Sequence, residues 1–255
     1  MQLYFDNIYG YQTNGDLLFN VVSAHFEKNE YNYAFENGWS PINFWYDGSS
    51  DLIWYQSRNT RIDLHKHYSS KKTRQFIRNS PVSYKIVTNY TYSTEIYKIY
   101  KNYCIHKDFT DIASYSEIET IFKYPLDQQF VLFYYESTLI AVTKISIWSN
   151  SLYSEFFWWN YDMPELNVGK ISSEAEIEFA KSTGNRFLYT GLGYHSHGVY
   201  KSLKKGFEWW TGREWSTDIE KYKYLCKKDD QIKTIEELQT HQLEYFKDKN
   251  ELPKS

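Results

Sequence analysis

The segment from Val168 to Trp215 alternates helix-like and strand-like stretches between glycines, which points to a sheet with helices packed on it. Gly169 precedes Ser172 and Ser173. Either serine suits a helix cap, and Ser173 with Glu176 three residues on fits a capping box. The helix is predicted to run to about Ser182 and to stop at Gly184. Arg186 to Thr190 reads as a short apolar strand, after which Gly191, Gly193 and Gly198 break the chain. Val199 to Lys205 reads as a second helix and Gly206 to Trp210 as a closing strand.

The first of these helices carries an anomaly. At about 100° per residue, Ile171, Ala175 and Phe179 gather on one side, and Glu174, Glu178 and Lys181 share a polar arc. Glu176 falls inside the apolar arc. A carboxylate there is partly desolvated, its pKa rises, and it becomes fit to accept a proton near neutral pH. Two readings of Glu176 stand side by side: a general base, or the acid that closes a capping box.

Charge and cysteine usage remove several classes. The net charge of −3 over 255 residues gives no global basic field, so any RNA contact has to come from a local patch, and DNA is not expected as a partner. Cys104 and Cys226 lie far apart and no C-x-x-C pair occurs, which supports neither a zinc ribbon nor a disulfide framework. This usage reads as a reducing, cytoplasmic setting. The opening MQLYFDNIYG has no basic region or apolar core and does not read as a signal peptide. The longest apolar run, Phe130 to Tyr135, is far below the ~18 residues that a membrane helix needs. Tyr, Asn, Lys and Ile are plentiful together, so tyrosine number alone marks no site. The nine tryptophans do point to a core or pocket.

Upstream, Glu30 to Gly38 reads as a short helix ended by its glycine, and Trp39 to Tyr46 as a strand turned by Asp47-Gly48. Leu52 to Gln56 and Asn59 to Leu64 read as further strands. A concentrated basic stretch follows. Ser69 or Ser70 caps a helix that carries Lys71, Lys72, Arg74 and Arg78, the two arginines four apart on one face. Such a helix either contacts phosphate or is a solvated face. His65 and His67 alternate on a strand end without a third metal ligand nearby. Later strands are expected at Val82–Val87, 129–135, 139–148 and 152–159, with helices at 93–103 and 116–122. Ser149-Asn150-Ser151 turns between the last two strands, and Ile235 to Phe246 reads as an amphipathic helix in a charged tail.

From Val82 the order is strand, helix, helix, three strands, helix, strand, helix, strand, which is similar to that of an N-acetyltransferase-like (GNAT) domain. That likeness implies an α+β fold: a mixed, splayed sheet flanked by helices, with a smaller, mainly β N-terminal region. The expected division is 1–80 for the N-terminal region with the basic helix, 81–227 for the GNAT-like domain and 228–255 for a charged tail. In such a sheet the acyl donor lies in the gap between the fourth and fifth strands, and the following helix points its N-terminus at donor phosphate.

Several motifs, in collinear order, carry a narrower likeness. Glu36-Asn37-Gly38-Trp39, the Ile62–Asn79 segment, Leu139-Ile140-Ala141-Val142, Glu155-Phe156-Phe157, Glu176-Ile177-Glu178-Phe179-Ala180, Leu188-Tyr189-Thr190-Gly191 and Tyr200-Lys201 together resemble the arginyl/leucyl-tRNA–protein transferases. The family's cysteine cluster has no counterpart: its place reads Asp47-Gly48-Ser49-Ser50-Asp51, so no metal is expected. The resemblance implies transfer of an amino acid from charged tRNA to the amino group of a protein or peptide, with aminoacyl-tRNA as co-substrate and no bound cofactor. It makes Glu176 the base, and Tyr200 or, less directly, Tyr189 the acid at the leaving ribose oxygen. Lys71, Lys72, Arg74 and Arg78, with Gly169, Lys170, Ser172 and Ser173, fall on the donor side. Glu155, Tyr194, His195 and His197 fall on the acceptor side. Two other readings remain: a GNAT enzyme using acetyl-CoA, suggested by Leu203 to Trp209, and a catalytically silent binding protein on the same fold.

Overall fold

Strand-forming runs such as QQFVLFYY and TLIAVTKISIW, dense in aromatic and β-branched residues, make long neighbouring strands of a large sheet. The computed structural model describes residues 2–4, 11–13, 16–18, 22–41, 53–88, 90–109, 111–123, 128–148, 151–232, 234 and 237. The N-terminal elements are β1 (Gln2–Tyr4), β2 (Tyr11–Thr13), β3 (Asp16–Leu18), β4 (Val22–His25), α1 (Tyr31–Glu36), β5 (Trp39–Pro41), β6 (Trp54–Gln56) and β7 (Asn59–Asp63). Next come α2 (Lys71–Arg78), β8 (Val82–Thr88), α3 (Thr94–His106), α4 (Tyr115–Lys123), β9 (Gln128–Tyr135), β10 (Thr138–Trp148) and β11 (Ser151–Trp159). The chain continues through α5 (Val168–Ser182), β12 (Phe187–Leu192), a 3-10 helix (Ser196–Leu203), β13 (Phe207–Trp210), β14 (Trp215–Ser216) and α6 (Ile219–Asp229).

The large sheet runs β14-β13-β7-β12-β11-β10-β9-β8. Its pairs are antiparallel except β11 with β12, which are parallel and matched only at Leu152–Leu188 and Tyr153–Tyr189. Beyond Tyr153 and Tyr189 the two strands part. This is the α+β, GNAT-like splayed sheet expected from the element order. Next to the gap, Lys144 is matched to Phe156 and Ile145 to Ser154, which leaves Glu155 as the extra residue of a β-bulge.

Helices cover both faces. Ile171, Ala175, Ile177 and Ala180 of α5 pack with Val131, Phe133, Ile145 and Leu188. The opposite face carries Ile96, Ile99 and Tyr100 of α3 with Ile118 and Phe122 of α4, against Phe130, Leu132 and Trp158. Each fully buried large side chain of this kind contributes about 1.5–3 kcal/mol. The smaller sheet, β1-β4-β6-β5, seats an aromatic layer on the large one: Phe35, Trp39 and Trp54 pack with Trp148 and Tyr189. The Phe35 and Trp54 rings meet edge-on at 5.1 Å. Several tryptophans therefore do mark a core.

Four features depart from the sequence reading. The strand at 59–63, expected within the N-terminal region, is an interior strand of the large sheet, between β12 and β13. Helix α5 starts at Val168, after Asn167 in the left-handed region at φ 50°, so neither Ser172 nor Ser173 caps it and no capping box forms. The stretch expected as a helix from Val199 is a 3-10 helix from Ser196. Helix α6 was not anticipated; it buries Tyr222, Leu225, Cys226 and Asp229. The Asp47-Gly48 turn, the cysteine-free stretch 47–51, the 149–150 turn and, apart from Glu237, the helix at 235–246 lie outside the described residues. Among the described residues, no helix is long and apolar enough to cross a membrane, and no group of three or more potential metal ligands occurs.

Candidate active site

Where β11 and β12 part, the sheet opens into a cavity of about 940 Å³. Ser154 to Trp159 of β11 form one wall, and Leu188 and Thr190 of β12 the other. Helix α5 contributes its first two turns and Ile177, and the 3-10 helix and the residues after it contribute His197, Tyr200, Lys201 and Leu203 to Lys205.

Glu176 sits in this cavity, 6% exposed. Ser172 lies one turn earlier on α5, and its hydroxyl donates to Glu176 Oε1 at 2.7 Å. Thr143 of β10 donates to the same oxygen at 3.3 Å, and its hydroxyl lies 2.8 Å from that of Ser172. Burial raises the Glu176 pKa; hydroxyls of Ser154, Ser172 and Thr143, and the charge of Lys204, oppose that rise. The helical periodicity thus located an inward-facing acid, while the hydroxyl cage around it includes Thr143, 33 residues away.

Tyr200 projects into the same cavity and is 59% exposed. Its hydroxyl is pushed up to about 12 by desolvation first, then by the charges of Glu176 and Tyr161, so it holds its proton at neutral pH. Lys201 beside it donates from Nζ to the carbonyls of Thr190 at 2.6 Å and Leu192 at 2.7 Å. Both carbonyls belong to the part of β12 that β11 has left. Burial brings the Lys201 ammonium down to about 8, against the opposing pull of Cys226 and Glu176. Sequence reading did not single this lysine out as a site residue.

Glu174 corrects the helical-wheel reading. Expected on the polar arc, it is 4% exposed. Its Oε1 accepts from Lys204 Nζ at 2.5 Å, and Oε2 accepts from the Ser69 hydroxyl with His67 Nε2 3.8 Å away. Burial would raise its pKa, but the nearby His67, the Lys204 and Ser69 hydrogen bonds and the Lys204 charge hold it at about 2. The network joins α5 to the strap before α2 and to the end of the 3-10 helix. His67 is part of it, with Nδ1 3.0 Å from the Lys205 carbonyl.

The donor-side residues divide. Gly169, Lys170, Ser172 and Ser173 line the cavity, Gly169 and Lys170 in the first turn of α5 rather than in a loop. Lys71, Lys72, Arg74 and Arg78 are exposed on α2, whose cap is Ser70, accepting from the Thr73 N–H at 3.0 Å. They do not line the cavity, but Ser70 and Thr73 of the same turn do. Lys170 Nζ lies 4.4 Å from the Phe76 ring, which joins the start of α5 to α2.

The acceptor-side residues divide too. Glu155 and His197 line the cavity. Glu155 Oε2 is 2.8 Å from Lys144 Nζ, both side chains 1% exposed. Tyr194 and His195 instead line a neighbouring cavity of about 190 Å³. The Tyr194 hydroxyl accepts from the Arg58 N–H at 2.9 Å. His195, at φ 56°, has Nδ1 3.5 Å from Asp230 and donates its backbone N–H to Asp229 at 3.2 Å. Tyr189 does not line either cavity. Strand alternation turns it opposite to Leu188 and Thr190, into the aromatic layer at 4.6 Å from the Phe35 ring.

The site therefore combines a buried acid, a protonated phenol, a cation-rich rim and an opening through the sheet. Similar solved structures include FemX, with 8% identity over 75% of this chain and 67% of that chain, at a TM-score of 0.47. They also include the C-terminal domain of a putative lysylphosphatidylglycerol synthetase from Agrobacterium fabrum (9% identity, 70% of this chain and 56% of that chain, TM-score 0.44). The L-PGS structure from Bacillus licheniformis matches at 10% identity over 69% of this chain and 55% of that chain, at a TM-score of 0.42. The chain thus spans just over half the length of these last two. No curated protein matches it. Residues 54–203, more than half of the 255, match the family described as arginine-tRNA-protein transferase, C terminus, and the chain belongs to that family.

Proposed function

We propose that this protein is an aminoacyltransferase that moves an amino acid from charged tRNA to the amino group of a protein N-terminus or peptide. The observation that carries the proposal is Glu176, buried in the wall of the split-sheet cavity, with lysines around the rim and a basic helix at its side. Family membership supports the same reading.

The chemistry follows from the groups present. The aminoacyl ester is already activated. The acceptor nitrogen attacks its carbonyl carbon, and the amine proton passes to the Glu176 carboxylate, whose burial-raised pKa suits it to that task. As the tetrahedral adduct collapses, the carbon–ribose oxygen bond breaks and the Tyr200 hydroxyl supplies a proton to the leaving oxygen. An amide and an uncharged tRNA result. Tyr200 then regains a proton from Glu176, directly or through solvent. Holding the two reactants on opposite sides of a narrow gap supplies much of the rate. Lys71, Lys72, Arg74 and Arg78 on α2, with Lys170, hold acceptor-stem phosphates. His197 and the wall near Glu155 face the incoming amine.

The deciding experiment incubates the protein with a pool of tRNAs charged with labelled amino acids and an array of peptides. Label appearing on peptides, and disappearing with Glu176→Gln, is the expected result. Absence of transfer with every donor, together with acetyl transfer from acetyl-CoA, would replace this reading by the acyl-CoA one.

A further inference from the structure

The charge balance of the cavity bears on which amino acid it accepts, given the aminoacyl-transfer reading above. Among the described residues its lining includes three carboxylates, Glu155, Glu174 and Glu176. Each is already engaged. Glu155 is paired with Lys144 at 2.8 Å, both 1% exposed. Glu174 is held by Lys204 at 2.5 Å and by Ser69, with His67 3.8 Å off. Glu176 is enclosed by the hydroxyls of Ser172 and Thr143 and is committed to the acceptor's proton.

Cations are in excess on the same surface. Beyond Lys204, which Glu174 holds, and Lys170, which is assigned to donor phosphate, Lys107 and Lys205 lie on its walls beside the rings of Tyr161 and Tyr68, with Lys201 near Thr190. Much of the remaining wall is aromatic: Phe156 and Trp158 stack at 3.8 Å, with Tyr103 and Phe109 from α3 and the loop after it. Trp159 and Tyr161, also 3.8 Å apart, continue it.

A guanidinium or ammonium entering this space loses water and, among the described residues, meets no carboxylate that is not already matched. Aromatic faces compensate a desolvated cation only in part, and the neighbouring lysines repel it. An apolar side chain gains from every one of those rings. Because no described residue of the lining offers spare negative charge, the conclusion does not depend on which end of the cavity holds the side chain.

We infer that the cavity selects an aminoacyl group with a large uncharged side chain, aromatic or branched aliphatic, and rejects arginine and lysine. The test compares tRNAs charged with phenylalanine, leucine, arginine or lysine, each with the same peptide array. The expected kcat/KM for phenylalanine or leucine exceeds that for arginine or lysine by about 100-fold or more. Arginine transfer as fast as phenylalanine transfer overturns the inference and leaves aminoacyl transfer standing. Should no donor react, the parent reading fails, and a binding measurement still decides the selectivity. Calorimetry with non-hydrolysable 3′-aminoacylamino-3′-deoxyadenosines is expected to give tighter binding of the phenylalanyl than the arginyl compound; the reverse order overturns the inference. Lys204→Met frees Glu174 from its counter-ion and is expected to raise the arginine-to-phenylalanine ratio about tenfold; an unchanged ratio also overturns it.

Discussion

The Ser172 hydroxyl donates to Glu176 at 2.7 Å from one helical turn away, so the acid and its nearest donor ride on the same rigid stretch of α5. Strand β10, on which α5 packs, supplies Thr143, whose hydroxyl reaches both. The carboxylate is thus oriented before any substrate arrives.

Glu176→Gln is expected to lower turnover by about 10²–10⁴-fold, the usual share of a general base. It is also expected to stabilise the fold at neutral pH. The Glu176 pKa is raised in the folded state from an ordinary value of 4.5, so as pH climbs the unfolded chain loses this proton first. Its stability contribution is complete below 4.5 and declines above it until the folded pKa is passed. Thermal melts should show Glu176→Gln above the parent at pH 7.5 and level with it at pH 4.

Glu174 has the opposite sign. Its folded pKa is held at about 2, so the stability it gives is present above 4.5 and disappears as pH falls toward 2. The interval corresponds to about 3 kcal/mol. Denaturant melts through that window should show a steep acid loss in the parent that is shallower in Glu174→Gln.

Replacing Lys71, Lys72, Arg74 and Arg78 with glutamate should leave the melting temperature nearly unchanged, because all four are exposed. If α2 meets tRNA, binding weakens strongly and the slope of log K against log salt falls by about 3 to 4. Titrations of labelled tRNA at several salt concentrations check this.

Asp229 is fully buried and takes two bonds from Arg58, at 2.5 and 3.4 Å. Asp229→Ala leaves Arg58 without its counter-charge and is expected to destabilise the protein by about 3–5 kcal/mol. Truncation after Lys227 should do at least as much harm. Urea melts of both variants give the measurement.

What the sequence revealed and what it hid separate on physical grounds. Strands β9 to β11 and helix α3 were legible from local apolar spacing, and helix α2 from its local serine cap. Glu176 was legible because an acid in an apolar arc breaks a local pattern. Glu174 was misread because its burial depends on Ser69 and Lys204, which lie 105 and 30 residues away. The start of α5 was misread because Asn167 makes the turn through its backbone and not through a side-chain cap. Helix α6 did leave a trace: positions 222, 225, 226 and 229 repeat at helical spacing. Lysines throughout interrupt the stripe, and its last position, Asp229, falls in the expected tail. Tyr189 was assigned by motif position, and alternation along β12 turns its ring into the aromatic layer.

Strand β7 has a further consequence for how the molecule is made. Asp63 meets Phe187, and Ile62 meets Phe207, so an early segment waits on the ribosome for partners about 124 and 145 residues downstream. Until β12 and β13 emerge, its edges stay open to illegitimate pairing with other nascent chains. Assembly of the gap and closure of the sheet are then one late event, and a fragment that begins after β7 has no seam along which to close.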